Sequence, residues 1–244
     1  MAFQNTPLGD GGMNVIITGA SKGLGKALAE KFAAAGNTLL LCSRNEDTLL
    51  TTQQELLLQF PQSTIKVMAV DISKKENAIA FGKFCLQNGT PGILINNAGS
   101  FLPGSIYEEE DGTFEKMLET NLYSAYHLTR SVLTGMMEAK QGHIFNMCST
   151  ASIASYSNGG SYSISKFALL GLTKNLRAEL RSYNIKVTAI IPGAVYTDSW
   201  SGSGVNPERI MQVDDVANMV YAASFLSPQA CVEEILLRPQ LGDL

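Results

Sequence analysis

Tyr162 and Lys166 stand four residues apart in a stretch of helical periodicity, so both project from one helix face, one turn apart. A phenol with an ordinary pKa of about 10 and an ammonium group then become neighbours, and the cation, aided by an oxidised nicotinamide, lowers the phenol's pKa by favouring the phenolate. Such a pair can exchange a proton near neutrality, although the spacing alone is also common as ordinary core and surface decoration. Ser149 closes a strand pattern thirteen residues before Tyr162, where its hydroxyl can polarise a carbonyl oxygen beside the phenol. Thr150, Ser152 and Ser155 offer the same group, and a strand-end serine needs no function. Neither histidine lies in a triad-like context, which disfavours nucleophilic serine chemistry. Asn121 falls among Phe114, Leu118, Ala125, Leu128 and Val132 at three-and-four spacing, on the apolar stripe of a long helix. A buried amide needs partners; it either caps an internal backbone irregularity or holds a water next to Lys166.

A second group of residues suits a dinucleotide. The first apolar run leads directly into Thr18-Gly19-Ala20-Ser21-Lys22-Gly23-Leu24-Gly25, and a helical pattern follows. Small residues admit a pyrophosphate close to the backbone, and the helix start offers N–H groups and a positive dipole end. The spacing is TGxxxGxG, which differs from GxGxxG, and a purely structural glycine turn is the plain alternative. The second strand ends Cys42-Ser43-Arg44, with no acid to hold the adenosine ribose hydroxyls. Arg44, helped by Ser43 and Lys22, can instead receive a 2′-phosphate, which favours NADP(H) over NAD(H). Glu46 and Asp47 lie close enough to weaken that reading and to leave Arg44 a solvated loop residue. Asp71-Ile72 ends the third strand and Asn96-Asn97-Ala98-Gly99 the fourth, at the edge where an adenosine would lie; both are also ordinary turn chemistry.

Seven apolar runs read as buried strands: Val15–Thr18, Leu39–Cys42, Ile65–Val70, Ile93–Asn96, His143–Cys148, Val187–Ile191 and Ile235–Leu237. Helical patterns lie between them over Gly23–Ala35, Glu46–Phe60, Ser73–Gln87, Thr113–Ala139, Tyr162–Arg181 and Val213–Phe225. Alternation of this kind implies a doubly wound α/β fold with a parallel sheet. The length of 244 residues suits one domain, over residues 14–244, after an N-terminal arm at 1–13. Small residues at 200–207 suggest a lid.

A net charge of −4 without basic runs argues against nucleic acid or a membrane surface and leaves small molecules or proteins as partners. Charged residues are 16% of the chain, below the roughly 25% usual for soluble domains, which suggests a surface covered by other subunits. Cys42, Cys85, Cys148 and Cys231 are widely spaced, as expected of free thiols in the cytosol. His127 and His143 lack neighbours at ligand spacing, so no metal is expected, and neither a signal peptide nor a transmembrane span is apparent.

Taken jointly, Thr18-Gly19-xxx-Gly23-x-Gly25, Asn96-Asn97-Ala98-Gly99, Asn121, Ser149, Tyr162-xxx-Lys166 and Pro192-Gly193-xxx-Thr197 resemble the short-chain dehydrogenase/reductase family. The resemblance runs from about Asn14 to the C-terminus. It implies a Rossmann-type sheet of about seven strands and hydride transfer between NAD(P)H and a carbonyl or alcohol, most simply as a carbonyl reductase. The implied tetrad has Ser149 hold the carbonyl oxygen, Tyr162 give the proton, Lys166 also hold the nicotinamide ribose, and Asn121 support a relay water. Pro192, Gly193, Val195 and Thr197 would border the nicotinamide, and Asp71, Ile72, Asn97, Ala98 and Gly99 the adenosine side. Pairing of the helices at 113–139 and 162–181 would give a homodimer or homotetramer. The C-terminal third is similar to bacterial sepiapterin-reductase-like members. The ending Leu241-Gly242-Asp243-Leu244 departs from the Gly-rich seventh-strand motif of many members, which leaves the substrate class open. A cofactor-binding regulatory protein without turnover is the competing class; a Rossmann-fold methyltransferase would leave Tyr162 and Lys166 without a role.

Overall fold

The computed structural model describes residues 12–197, 200 and 204–243. The expected arm at 1–13 therefore lies almost wholly outside the described residues, and so does the centre of the stretch at 200–207. Seven strands, β1 (Asn14–Thr18), β2 (Thr38–Ser43), β3 (Thr64–Ala69), β4 (Pro91–Asn96), β5 (Gly142–Met147), β6 (Ile185–Pro192) and β7 (Glu234–Leu237), form one sheet. Their order is β3-β2-β1-β4-β5-β6-β7 and every pairing is parallel. The order reverses between β1 and β4, and the crevice at their carboxyl ends is where a doubly wound sheet takes its ligand.

Helices cover both faces: α1 (Gly23–Ala34), α2 (Glu46–Gln59), α3 (Lys75–Gln87), α4 (Thr113–Leu118), α5 (Ser124–Ala139), α6 (Gly160–Leu180) and α7 (Val213–Ser224). Successive strand residues point to opposite faces. Val15 and Ile17 accordingly pack with Leu28, Phe32 and Val220 of α1 and α7, whereas Ile16 packs with Phe81, Leu128 and Val132 of α3 and α5. Double coverage explains why β4, β5 and β6 are buried at every position. The edge strand β3 instead exposes Thr64, Lys66 and Ala69, and a lysine there discourages edge-to-edge pairing.

Two helices depart from the sequence expectation. The single helix expected over Thr113–Ala139 is interrupted by a π-helical turn at Glu119–Tyr123 between α4 and α5. Asn121 lies inside that irregular turn, but its amide bonds to Ser100 and Ser165 and does not cap the turn's own backbone. Helix α6 begins at Gly160, two residues before Tyr162. Among the described residues, no helix is long and apolar enough to cross a membrane, and no cluster of His, Cys, Asp or Glu could hold a metal.

Candidate active site

The glycine loop is clamped from the neighbouring strand. Thr18 Oγ1 accepts the N–H groups of Asn97 and Ala98 at 3.0 and 2.9 Å, and Asn97 Nδ2 donates to the carbonyls of Thr18 and Gly19 at 2.9 and 3.3 Å. Within the loop, a Cβ on Gly25 would fall 2.1 Å from the Gly19 carbonyl oxygen, so no side chain fits. Helix α1 starts after Lys22, an exposed residue whose side chain does not cap the helix. The N–H groups of Gly23, Leu24 and Gly25 lack intrahelical acceptors, the arrangement that suits an anion at a helix start. The Ser21 carbonyl is held by Thr52 Oγ1 at 2.8 Å, while Leu24 packs onto the core. Across the crevice, the Thr197 methyl lies 3.6 Å from where a Gly23 Cβ would be, so the loop after β6 meets the glycine loop. Pro192 ends β6, Gly193 N donates to Leu237 O at 2.8 Å, and buried Val195 bridges to Met211.

At the far end, Arg44 is exposed just beyond β2. The nearby acids have their own explanation: Asn45 caps α2 by accepting from Thr48 N, and Glu46 and Asp47 occupy its first turn, where the helix dipole favours them. Among the described ion pairs, none joins Arg44 to either acid. Ser43 is buried and its hydroxyl donates to Asn45 O at 3.2 Å, so it shapes the turn that presents Arg44. Asp71 accepts from the Ser73 N–H and hydroxyl, which closes the turn after β3. Ile72 is buried in the core.

The residues expected to do chemistry converge on the carboxyl ends of β4 and β5. Lys166 is buried, donates to Met147 O at 2.7 Å, and sits 5.7 Å from the Tyr162 ring centroid. A Cβ on Gly99 would lie 3.2 Å from Asn121 Oδ1 and 3.5 Å from Lys166 Nζ, which places the three groups around one point. Asn121 accepts from Ser100 N at 2.8 Å and donates to Ser100 O at 3.0 Å and Ser165 Oγ at 2.9 Å; Ser165 in turn donates to Tyr162 O. The π turn thus aims a buried amide at both the loop after β4 and the helix carrying Tyr162.

The competing hydroxyls are separated by the fold. Ser149 accepts from Ala151 N at 3.1 Å, and its side chain favours the ionised form of the Tyr162 phenol, which burial opposes. Ser152 is buried and accepts from Ser149 N, Thr150 opens a short 3-10 turn, and Ser155 is exposed. Residue spacing includes Thr18 in the glycine-loop motif without giving its hydroxyl a task, and it does not include Ser165, whose available sign was a small hydroxyl four residues after buried Ser161 on one helix face.

The protein's own groups do not lower the phenol's pKa by themselves: burial pushes Tyr162 up, opposed by Ser149, so the expected lowering rests on the oxidised nicotinamide as well as on Lys166. Lys166 is itself so buried that its ammonium is pulled down to about 8, and it donates its hydrogen bond to Met147 O. A lysine whose folded pKa lies below its unfolded value destabilises the fold fully below pH 8, and that cost fades as pH rises from about 8 towards 10.5. A shift of this size corresponds to roughly 3 kcal/mol, part of which is offset by the hydrogen bond to Met147. Lys166→Met should therefore raise stability at pH 7 by about 1 to 2 kcal/mol, with the gain gone by about pH 9 to 10 and reversed above that, where only the lost hydrogen bond to Met147 counts. Urea melts of both proteins across that range check it.

A family model described as short chain dehydrogenase matches residues 13–206. The chain belongs to the short-chain dehydrogenase family. A sepiapterin reductase from Chlorobaculum tepidum is 30% identical over 239 residues, which cover 94% of this chain and 97% of that one. Among solved structures, an alcohol dehydrogenase from the archaeon Thermococcus sibiricus complexed with 5-hydroxy-NADP superposes with a TM-score of 0.86 at 27% identity, covering 93% of this chain and 97% of that one. L-Sorbose reductase from Gluconobacter frateurii, complexed with NADPH and L-sorbose, gives a TM-score of 0.86 at 25% identity, covering 95% and 97%. The chain is thus an oxidoreductase of the short-chain dehydrogenase family with a single Rossmann-type sheet.

Proposed function

We propose that this chain is an NADP(H)-dependent carbonyl reductase of a small molecule. The observation that carries this reading is the convergence of Asn121, Ser149, Tyr162 and Lys166 beside the clamped glycine loop. The uncapped start of α1, the tight approach at Gly25 and the exposed Arg44 fit a dinucleotide bearing a 2′-phosphate. The NADP-type complexes of two similar structures support that choice.

NADPH held there would supply hydride to the substrate carbon. Gly19, Ser21, Lys22, Gly23, Leu24 and Gly25 would receive the pyrophosphate, Arg44 beside Ser43 the 2′-phosphate, and Asp71, Ile72, Asn97, Ala98 and Gly99 the adenosine side. Pro192, Gly193, Val195 and Thr197 would border the nicotinamide. Ser149 orients the carbonyl oxygen and Tyr162 donates a proton to it, a transfer that a phenol with a raised pKa makes as an acid. Lys166 restores the phenol's proton through its own exchange near pH 8, and Asn121 fixes the helix through Ser165. A purely regulatory role would leave this buried lysine beside the tyrosine without a reason. The test follows NADPH absorbance against a panel of aromatic diketones, aldehydes and ketoses; no turnover of any of them would reject the reductase reading.

The assembly we propose is a homodimer or homotetramer. Tyr123 and Tyr126 near the start of α5 and Ile164 and Phe167 on α6 are 38 to 46% exposed, more apolar surface than helices of a monomer usually leave open. Light scattering at micromolar concentration should give twice or four times the chain mass, and a monomeric mass would remove the proposal. A reducing cytosolic location is supported by the free cysteines; burial pushes the Cys42, Cys85 and Cys148 thiols up, which keeps them unreactive.

A further inference from the structure

Helix α6 carries both Tyr162 and Lys166, yet it begins at Gly159-Gly160 with no side-chain cap of its own. Its first N–H groups need acceptors from elsewhere. Glu109, 52 residues upstream in the loop between β4 and α4, supplies one: Oε1 accepts from Ser161 N at 2.8 Å and Oε2 accepts from the Ser161 hydroxyl. A carboxylate also suits the positive end of the helix dipole. The fit is steric as well, since a Cβ on Gly160 would fall 2.1 Å from Glu109 Oε1 and 2.5 Å from Gly104 O. Two further contacts fasten the same loop to the same turn. Gly104 N donates to Asn158 O at 3.1 Å and Ser105 Oγ to Asn158 Oδ1 at 3.0 Å. Phe101 meets the Tyr162 ring edge-on at 4.9 Å.

We infer that Glu109 is a positioning residue for Tyr162: it caps α6 in trans and holds the β4–α4 loop, with Phe101, over the substrate side of the phenol. The inference rests on the reductase reading for its kinetic part only. A helix's first turn frays most easily, and Tyr162 lies in that turn next to Ser161, so loosening the cap displaces the phenol without touching the glycine loop.

The experiment combines hydrogen exchange with kinetics. In Glu109→Ala, amide exchange over residues 159–164 should accelerate about tenfold, and kcat for a reactive aromatic diketone should fall about tenfold, as for a lost charged hydrogen bond. The Kd for NADPH, read by cofactor fluorescence, should stay within about twofold. Glu109→Gln keeps an acceptor for Ser161 N and should recover most of both losses, and Ser161→Ala, which removes only the hydroxyl contact, should show a smaller change of the same kind. Wild-type exchange in Glu109→Ala, equal losses in the Gln and Ala variants, or a parallel fall in NADPH affinity would each overturn the role. If Glu109→Ala does not fold, the Gln and Ser161→Ala variants decide it by the same exchange readout. If the wild-type protein reduces none of the diketones, aldehydes and ketoses of the panel, the reductase reading fails while the exchange data still settle the cap.

Discussion

Tyr162→Phe should lower turnover by about 100- to 10,000-fold, the usual worth of a general acid, while NADPH still binds. The ring is retained, so its edge-on contact with Phe101 and the packing of α6 survive; only the hydroxyl that faces Ser149 is lost. The assay follows NADPH absorbance with a reactive aromatic diketone, after cofactor fluorescence has shown that binding is intact. Ser149→Ala should mainly lower kcat. Ser152 is engaged with Ser149 N, which leaves Thr150 as the hydroxyl to replace the missing one, and the double variant with Thr150→Val should remove any residual rate. Wild-type turnover in Tyr162→Phe would show that the proton comes from another group.

Arg44→Ala should weaken NADPH by about 10- to 100-fold and leave NADH nearly unchanged, as expected for the loss of a charged hydrogen bond worth roughly 1.5 to 3 kcal/mol. Arg44 stands exposed beyond β2, and the acids that follow it are committed to the start of α2. Fluorescence titration of both cofactors checks the prediction, and the NADPH loss should shrink at high salt because the contact is solvent-accessible. Equal losses for the two cofactors would remove the 2′-phosphate from the reading.

The strands were legible because a parallel sheet covered on both faces turns each one into a short continuous apolar run, as in Ile93-Leu94-Ile95 of β4. Tyr162 and Lys166 were legible because four-residue spacing is local to one helix. What local pattern could not carry is burial and distance. Spacing is silent on how deeply Lys166 and Tyr162 are enclosed, and that enclosure pushes the phenol up and the ammonium down. The partnership of Asn121 with Ser165 spans 44 residues and that of Glu109 with Ser161 spans 52, so nothing near either residue pointed to it. An amide inside an apolar stripe did signal an anomaly at Asn121, but an inserted π turn has no residue pattern of its own.

The clamp between Asn97 and the glycine loop closes 79 residues of chain. During synthesis β1 emerges early, yet its partner on one side, β4, ends at Asn96. Closing so long a loop costs entropy before the pairing returns anything, which makes this sheet a slow folder by topology. At ordinary translation rates the ribosome takes about 1 to 5 s to pass from the end of β3 to the end of β4. Through that interval the half-built sheet carries an open apolar edge along Val15, Ile16 and Ile17, ready to pair with another nascent chain. The central strand that lines the crevice is therefore also a point at which the unfinished sheet is open to misassociation.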